Sequence, residues 1–217
     1  MSFLSKIEKS SDVKTLDIKQ LKTLSEELRE EIIAVTEKNG GHLSSNLGII
    51  ETTVALHYAF DFPKDKLIFD VGHQCYAHKI LTGRGDRFST LRTYQGLSGF
   101  NNPFESEHDV MYEGHCGTSL SAALGIAEAN RLQGKEDYVV AIVGDGALTN
   151  GMIYEALNNC EGKDLRLIIL INDNEMSISQ NVGGLRNHMS KIRTSKGYLS
   201  FKRGFGGFLA KIPLIGK

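Results

Sequence analysis

Two short apolar runs on either side of a helical segment constrain the fold of this chain more than any other feature. Residues 138–143 and 165–171 are rich in Val, Ile and Leu, a pattern that predicts buried strands. Residues 152–159 lie between them and are predicted to be helical. Because a strand–helix–strand unit makes two parallel neighbouring strands, their carboxyl ends should meet at one edge of the sheet.

The remaining segments continue this alternation of strands and helices. Residues 17–38 and 48–60 are predicted helices, residues 67–71 a strand, and residues 118–132 a helix of small residues that packs closely on the sheet. The first helix has apolar residues at spacings of three and four, and Asp17 with Gln20 forms a candidate capping box at its start. The sequence therefore predicts an α/β fold, a parallel sheet with helices on both faces.

Composition limits the class of protein. A chain of 217 residues with 41% hydrophobic and 24% charged residues is long enough for one substantial domain. A formal net charge of −1 predicts no nucleic-acid or membrane partner. Cys75, Cys116 and Cys160 lack metal-ligand spacing and are expected to be free thiols in a reducing compartment. We find no signal-peptide pattern or membrane-length apolar run, so we expect a cytoplasmic protein.

The end of the chain differs in character. Residues 183–217 are basic and interrupted by glycine, which predicts a tail that follows a domain formed by residues 1–182. Two interpretations of this tail stay open. It is either a mobile surface segment or a loop that becomes ordered against another part of the protein.

Polar residues follow both strands of the strand–helix–strand unit. Asp145 lies between two glycines after the first strand, and Asn174 follows the second. Gly-Asp-Gly alone is equally typical of a tight turn with a solvated aspartate. Because both side chains come just after neighbouring parallel strands, we expect them to lie at the edge where ligands of open α/β sheets bind. A carboxylate, an amide oxygen and a nearby backbone carbonyl are oxygen ligands suited to Mg2+.

Several longer motifs accompany this pair. They occupy residues 40–48, 70–74, 78–84, 96–100, 105–109 and 174–179. From about residue 16 to its end, the chain resembles the N-terminal part of the 1-deoxy-D-xylulose 5-phosphate synthase family, which belongs to the thiamine-diphosphate enzymes. Transketolases share the thiamine motif and the histidines, but the runs at residues 105–109 and 172–179 favour the synthase.

The resemblance implies a reaction and its cofactors. Pyruvate and D-glyceraldehyde 3-phosphate condense with loss of CO2 to 1-deoxy-D-xylulose 5-phosphate, a precursor of isoprenoids, thiamine and pyridoxal. The implied cofactors are thiamine diphosphate and Mg2+. The implied metal ligands are the side chains of Asp145 and Asn174 and the backbone carbonyl of Met176. The implied cofactor-binding residues are His73, Gly114, His115, Cys116, Gly146, Ala147 and Asn174.

Three histidines beside glycine are the implied catalytic residues: His42, His73 and His115. Imidazoles titrate near neutrality and can relay protons or hydrogen-bond a developing alkoxide. In the family, the counterparts of His73 and His115 contact the cofactor, and that of His42 lies near the reacting carbonyl.

The other histidines carry no such role at this point. His57 and His188 are assigned to structure or solvent, and His78 and His108 remain without a role. Two departures from the family are Cys116, where a serine is usual, and Asn46, where many relatives have a smaller residue.

The resemblance also covers only part of the family's architecture. The family has pyrimidine-binding and C-terminal domains that these residues do not match, and no acid here matches the motif of the glutamate that activates the cofactor. We therefore expect the chain to need a pyrimidine-domain polypeptide or those domains, to be inactive alone, and to belong to a homodimer when complete. The alternatives are the first subunit of a two-chain transketolase and a non-catalytic thiamine-diphosphate-binding module. Donor preference would separate the two enzymes, because only the synthase releases CO2 from pyruvate.

Overall fold

A computed structural model of the chain describes residues 2–172. The helices and strands within this range follow in chain order. They are α1 (Ile18–Asn39), α2 (Leu43–Leu47), α3 (Ile50–Ala59), β1 (Lys66–Phe69), α4 (Tyr76–Lys79), α5 (Ser119–Leu132), β2 (Val139–Gly144), α6 (Gly151–Asn159) and β3 (Leu167–Asn172). Short 3-10 segments occur at Leu4–Lys6, Ser10–Thr15, Gly85–Thr90 and Ala147–Thr149, and a π-helical turn at Ile80–Arg84 follows α4.

The three strands form one parallel sheet in the order β1-β2-β3. Lys66 of β1 lies opposite Val139 of β2, which lies opposite Leu167 of β3. The expected strand–helix–strand unit is confirmed, with ends that move by one or two residues. The predicted membership of all three strands in one parallel sheet is also confirmed.

Alternate residues of the strands face two separate cores. Leu67, Phe69, Val140 and Ile142 pack in a cluster that includes buried residues of α1, α3 and α4. Ile68, Val139, Ala141 and Val143 pack in a second cluster with Leu120, Ala123 and Ala127 of α5. Helices therefore cover both faces, as predicted, and every residue of β2 is buried. A strand buried on both faces explains why its sequence is continuously apolar rather than alternating.

Helix α1 confirms the predicted amphipathic helix and its capping box. The Gln20 backbone N–H donates to Asp17 Oδ1 at 2.9 Å, and the Asp17 N–H donates to Gln20 Oε1 at 2.8 Å. The chain leaves the helix at Gly40, whose φ of 76° suits glycine. Four of its predicted apolar residues are buried, but Ile18 is exposed, because the first turn projects beyond the core.

One predicted helix starts later than expected, and a short helix before it was not predicted. Residues 48–60 were expected to form one segment, but α3 begins only at Ile50, and the short helix α2 precedes it. Gly48 and Ile49 separate the two helices, and Asn46 of α2 is buried. Periodicity alone did not reveal α2, because five residues are too few to establish a helical repeat.

All three cysteines are free, as expected. Within residues 2–172, no helix is long and apolar enough to cross a membrane. The boundary expected at residue 182, the basic tail, and the ligand candidates Asn174 and Met176 lie outside the described residues.

Candidate functional site

The site is built on the carboxyl ends of the three strands. Asp70 follows β1, Asp145 follows β2, and Asn172 is the last residue of β3. The Asp145 backbone N–H donates to the carbonyl oxygen of Asn172 at 3.1 Å, so the ends of β2 and β3 are joined directly. Two of the three predicted metal ligands, Asn174 and Met176, lie beyond the described part of the chain, and the structure places only Asp145.

Asp70 holds the loop that carries Gly114, His115 and Cys116. Its buried carboxylate accepts hydrogen bonds from the Gly117 backbone N–H at 2.9 Å and from the Ser119 hydroxyl at 2.6 Å. The loop therefore lies across the end of β1, with His115 and Cys116 exposed. Sequence reasoning gave Asp70 no role, although it opens one of the family motifs.

Asn150 holds the same loop from the side of β2. Its Nδ2 donates to the Cys116 carbonyl oxygen at 3.3 Å, and its Oδ1 accepts from Met152 N at 2.9 Å, which caps α6. Gly117 has a φ of 86°, and a Cβ there would lie 2.4 Å from the Asn150 side chain. Only glycine fits this position, so the loop and the start of α6 are fixed relative to each other.

His42 and His73 form a close pair of rings. Their centroids are 5.4 Å apart in an edge-to-face arrangement, and Phe100 packs 5.8 Å from His42. The Nδ1 atoms of both rings are buried and lack a hydrogen bond of normal geometry, although the His73 ring also interacts with the Asp70 backbone. Burial lowers the pKa of both imidazoles, helped by Arg92 near His42 and by His42 near His73. Both rings are therefore neutral at neutral pH.

Gln74 connects this pair with the strand ends. Its Nε2 lies 3.4 Å from His73 Nε2, and its Oε1 accepts from Asn172 Nδ2 at 2.9 Å. A Cβ at Gly144 would lie 3.0 Å from Gln74 Nε2, so the end of β2 approaches this side chain closely. Asp145 is near enough to raise the pKa of His73, against the larger effect of burial. Sequence reasoning missed Gln74, although it follows His73 in the Gly-His-Gln motif.

A second histidine pair lies elsewhere, in the interior. Ser10 Oγ is 2.7 Å from His57 Nδ1, His57 Nε2 is 3.0 Å from His78 Nδ1, and His78 Nε2 is 3.2 Å from Asp109 Oδ1. Arg84 donates two hydrogen bonds to Asp109, at 2.7 and 3.1 Å. Burial alone would raise the pKa of Asp109, but the hydrogen bonds from His78 and Arg84 hold it well below its usual range. We call these five residues the Asp109 cluster.

The Asp109 cluster gives a structural role to two of the histidines that sequence reasoning left without a site role, His57 and His78. His57, expected in structure or solvent, is fully buried structure, and His78 is its partner. Beside the cluster, the buried ammonium of Lys79 donates to Glu105 at 2.5 Å, and Glu105 accepts from Ser98 N at 2.6 Å. These contacts join three of the motif segments, residues 78–84, 96–100 and 105–109.

One acid near the site has an unusual environment. Burial, with Asp70 and Asp109 nearby, raises the pKa of Glu113 to about 8, and its Oε2 is buried without a partner. A Cβ added to Gly72 would lie 2.5 Å from the Cβ of Glu113, so Gly72 leaves room for the Glu113 side chain. Glu113 is thus neutral at pH 7 and borders the loop that contains His115.

The described residues contain no group of three or more His, Cys, Asp or Glu side chains arranged to hold a metal ion. The predicted Mg2+ site has only one such side chain, Asp145, because its other ligands are an amide and a backbone carbonyl. A groove of about 320 Å3 between α5 and α6 is away from this edge. It is lined by Ser121, Leu124, Gly125, Glu128, Glu155, Ala156, Asn159 and Lys163.

Solved structures with a similar fold are transketolases. That from Leishmania mexicana aligns with a TM-score of 0.65 and 19% identity, over 78% of this chain and 30% of that one. A transketolase mutant from Pichia stipitis aligns with a TM-score of 0.60 and 20% identity, over 75% of this chain and 29% of that one. At this identity the likeness shows a common fold.

Sequence relatives are closer. The synthases "1-deoxy-D-xylulose-5-phosphate synthase" of Caldanaerobacter subterraneus subsp. tengcongensis and of Dictyoglomus turgidum are 54% and 56% identical to the chain, each over 99% of it. The chain spans about a third of the length of these curated relatives, 34% in each case. The family model for 1-deoxy-D-xylulose-5-phosphate synthase matches residues 4–216. With a match over nearly all of its length, the chain belongs to the 1-deoxy-D-xylulose-5-phosphate synthase family.

Proposed function

We propose that this chain forms the diphosphate- and Mg2+-binding part of a 1-deoxy-D-xylulose-5-phosphate synthase. The reaction condenses pyruvate with D-glyceraldehyde 3-phosphate and releases CO2. Because the chain spans about a third of its relatives, we infer that the pyrimidine half of the site comes from residues outside these 217, in the same polypeptide or a second one. The complete enzyme is a homodimer in this proposal.

The observation that carries the proposal is the meeting of motif loops at one edge of the sheet in a chain of this family. The loops that carry His73, His115 and Asp145 all follow or border the carboxyl ends of β1 and β2. In an open parallel sheet this edge is where ligands bind. The tie between the ends of β2 and β3 supports a ligand set drawn from both strands.

The described residues fit a magnesium–diphosphate group. Asp145 supplies a carboxylate at the end of β2, and the following residues, Gly146 and Ala147, can bring backbone N–H groups close to phosphate oxygens. The Nδ1 atoms of His42 and His73, which lack a hydrogen bond of normal geometry, supply further polar groups that await a ligand. In our proposal Asp145 and Asn174 bind Mg2+ through their side chains and Met176 through its carbonyl.

The remaining residues have separate tasks in this proposal. His73, Gly114, His115 and Cys116 contact the cofactor, with Gly146, Ala147 and Asn174 on its diphosphate and metal. When bound, thiamine diphosphate supplies the carbanion chemistry by which pyruvate loses CO2. His42, held neutral by burial, accepts or donates a proton at the substrate carbonyl. Cys116 replaces the usual serine without loss of its backbone contact, since Asn150 binds its carbonyl.

The proposal extends to the organisation of the chain and to its location. Residues 1–182 form the cofactor-binding unit, and the basic residues 183–217 follow it. Three free thiols suit a reducing cytoplasm. A transketolase is not favoured, because the similarity to transketolase structures is at 19–20% identity and concerns the fold.

The test is CO2 release from pyruvate with glyceraldehyde 3-phosphate, Mg2+ and thiamine diphosphate. The chain would be assayed alone and joined to the remaining two thirds of the Caldanaerobacter subterraneus synthase. We expect turnover only from the joined enzyme, because one half-site cannot activate the aminopyrimidine. Turnover by the chain alone would contradict the half-site assignment. Transfer from a ketose phosphate without CO2 release would favour a transketolase.

A further inference from the structure

We propose that Asn46 is a positioning residue whose carboxamide clamps the main chain of His42 to that of His73 and so sets the spacing of the two imidazoles. This inference rests on the proposed function of these histidines. Asn46 touches neither imidazole ring and acts through the backbone of both histidines.

The hydrogen bonds of Asn46 are the first argument. The side chain is 1% exposed. Its Nδ2 donates to the carbonyl oxygens of His42 and His73, each at 2.7 Å, and its Oδ1 accepts from the Tyr76 backbone N–H at 3.0 Å. Both donor protons and the acceptor are in use, so the amide orientation is fixed by its partners. No other residue type of this size offers two donors and one acceptor.

A closed ring of contacts is the second argument. The His42 backbone N–H donates to the Tyr76 hydroxyl at 3.3 Å, while Tyr76 N donates to Asn46, and Asn46 donates to the His42 carbonyl. Both peptide groups of His42 are therefore held. Tyr76 reaches them because Gly41 has no side chain: a Cβ there would lie 2.7 Å from the Tyr76 hydroxyl oxygen.

The rings themselves have little else to hold them, which is the third argument. Neither Nδ1 atom has a hydrogen bond of normal geometry, and the centroids lie 5.4 Å apart with one edge toward the other face. Packing against Phe100, a 3.4 Å contact with Gln74 and an interaction of the His73 ring with the Asp70 backbone remain. Because the imidazoles of His42 and His73 make few contacts of their own, their positions depend on the backbone to which Asn46 is hydrogen-bonded.

A titration of the histidines in the full 217-residue chain tests this inference without any cofactor. The probe is the NMR signal of each imidazole against pH, in wild type and in Asn46→Ala. Without the clamp, water reaches both rings, and the pKa of His42 and of His73 should rise by about 0.5 or more toward the ordinary histidine value. The charged groups that act on them, Arg92 on His42 and Asp70 and Asp145 on His73, are unchanged in this variant.

Asp65 offers a matched control at the opposite edge of the sheet. Its buried carboxylate also joins two backbone segments, accepting from Asp61 N at 2.8 Å and from Tyr138 N at 2.7 Å. Asp65→Ala should lower stability but leave the titration of His42 and His73 unchanged. Should Asn46→Ala not fold, Asn46→Ser, with one donor in place of two, should raise the pKa of at least one of the two histidines.

Activity assays of the joined enzyme distinguish a failure of this inference from a failure of the proposed function. There, Asn46→Ala should lower kcat about tenfold and move the acid limb of the pH–rate profile upward, with Asp65→Ala unchanged in both. Unshifted titrations of both histidines in folded Asn46 variants would overturn the inference. Full activity of His42→Ala and His73→Ala would instead overturn the proposed function, whatever Asn46 does.

Discussion

Two histidine pairs, one fully buried and one only partly buried, have nearly the same ring spacing and differ in their hydrogen bonding. The rings of His57 and His78 are 5.2 Å apart, and those of His42 and His73 are 5.4 Å apart. In the first pair every ring nitrogen has a partner, in a chain from Ser10 to Asp109. In the second pair both Nδ1 atoms lack a hydrogen bond of normal geometry.

The difference in hydrogen bonding accompanies a difference in burial, since His57 and His78 are fully buried and His42 and His73 are partly exposed. Burial lowers the pKa of all four imidazoles, so a depressed pKa does not distinguish the pairs. Buried polar atoms are nearly always hydrogen-bonded, and exceptions call for an explanation such as a missing ligand. The satisfied pair ties the fold together, and the unsatisfied pair lies at the edge where we propose that the cofactor binds.

The largest effect on stability should come from Asp109→Ala. The change removes the acceptor of five hydrogen bonds and leaves the buried guanidinium of Arg84 with only the more distant Glu105, at 3.6 Å, as a charge partner. We expect a loss of about 3–5 kcal/mol in the free energy of unfolding, measured by urea denaturation. Glu128→Ala, which breaks the exposed pair with Arg131, should have a much smaller effect, because solvent screens that pair. Equal effects of the two changes would contradict a structural role for the Asp109 cluster.

A second test removes one histidine from each pair and compares the effects on stability. His78→Ala should destabilise the chain by about 2–4 kcal/mol, because His57 and Asp109 both lose a buried partner. His73→Ala should cost less than about 1 kcal/mol, since its Nδ1 has no hydrogen bond of normal geometry to lose, and should weaken cofactor affinity about tenfold in the joined enzyme. Denaturation curves and cofactor titrations on the same two variants check this. A larger loss of stability in His73→Ala than in His78→Ala would contradict the assignment of the His57–His78 pair to structure and of the His42–His73 pair to the site.

Glu113 predicts a smaller, pH-dependent effect. Its pKa rises from 4.5 to about 8 on folding, so the folded chain binds this proton more tightly than the unfolded chain does. Its contribution to stability is complete below pH 4.5 and is lost as the pH rises through about 8. The full pKa shift corresponds to about 4 kcal/mol over pH 5 to 8.5, and solvent screening of the partly exposed side chain reduces it, so wild type should lose about 1–2 kcal/mol relative to Glu113→Gln. Parallel stability curves for the two proteins would show that Glu113 titrates normally.

The sequence predicted the parts of the fold that depend on local pattern. The buried strands, the capping box at Asp17 and the placement of Asp145 after β2 follow from periodicity and turn chemistry, and the structure confirms them. The short helix α2 was missed, because its five residues, which end before Gly48, are too few to establish a helical repeat.

The residues that hold the site could not be found in this way. Asn46, Asp70 and Gln74 act through partners 27 to 98 positions away along the chain, and no spacing rule connects them. His57 and His78 likewise meet only because α3 and α4 pack together. Motif membership was the available signal for Asp70 and Gln74, since both belong to residues 70–74. The roles of Asn174 and Met176 stay predictions.

The most direct measurement is Mg2+-dependent binding of thiamine diphosphate by the joined enzyme, with Asp145→Ala compared with wild type by titration calorimetry. If this edge supplies the metal site, loss of its carboxylate should weaken binding by about 100-fold or more. Met176→Leu should change affinity by less than about threefold, because a backbone carbonyl survives the substitution. Wild-type affinity in Asp145→Ala would contradict the assignment of the diphosphate site to the carboxyl edge of this sheet.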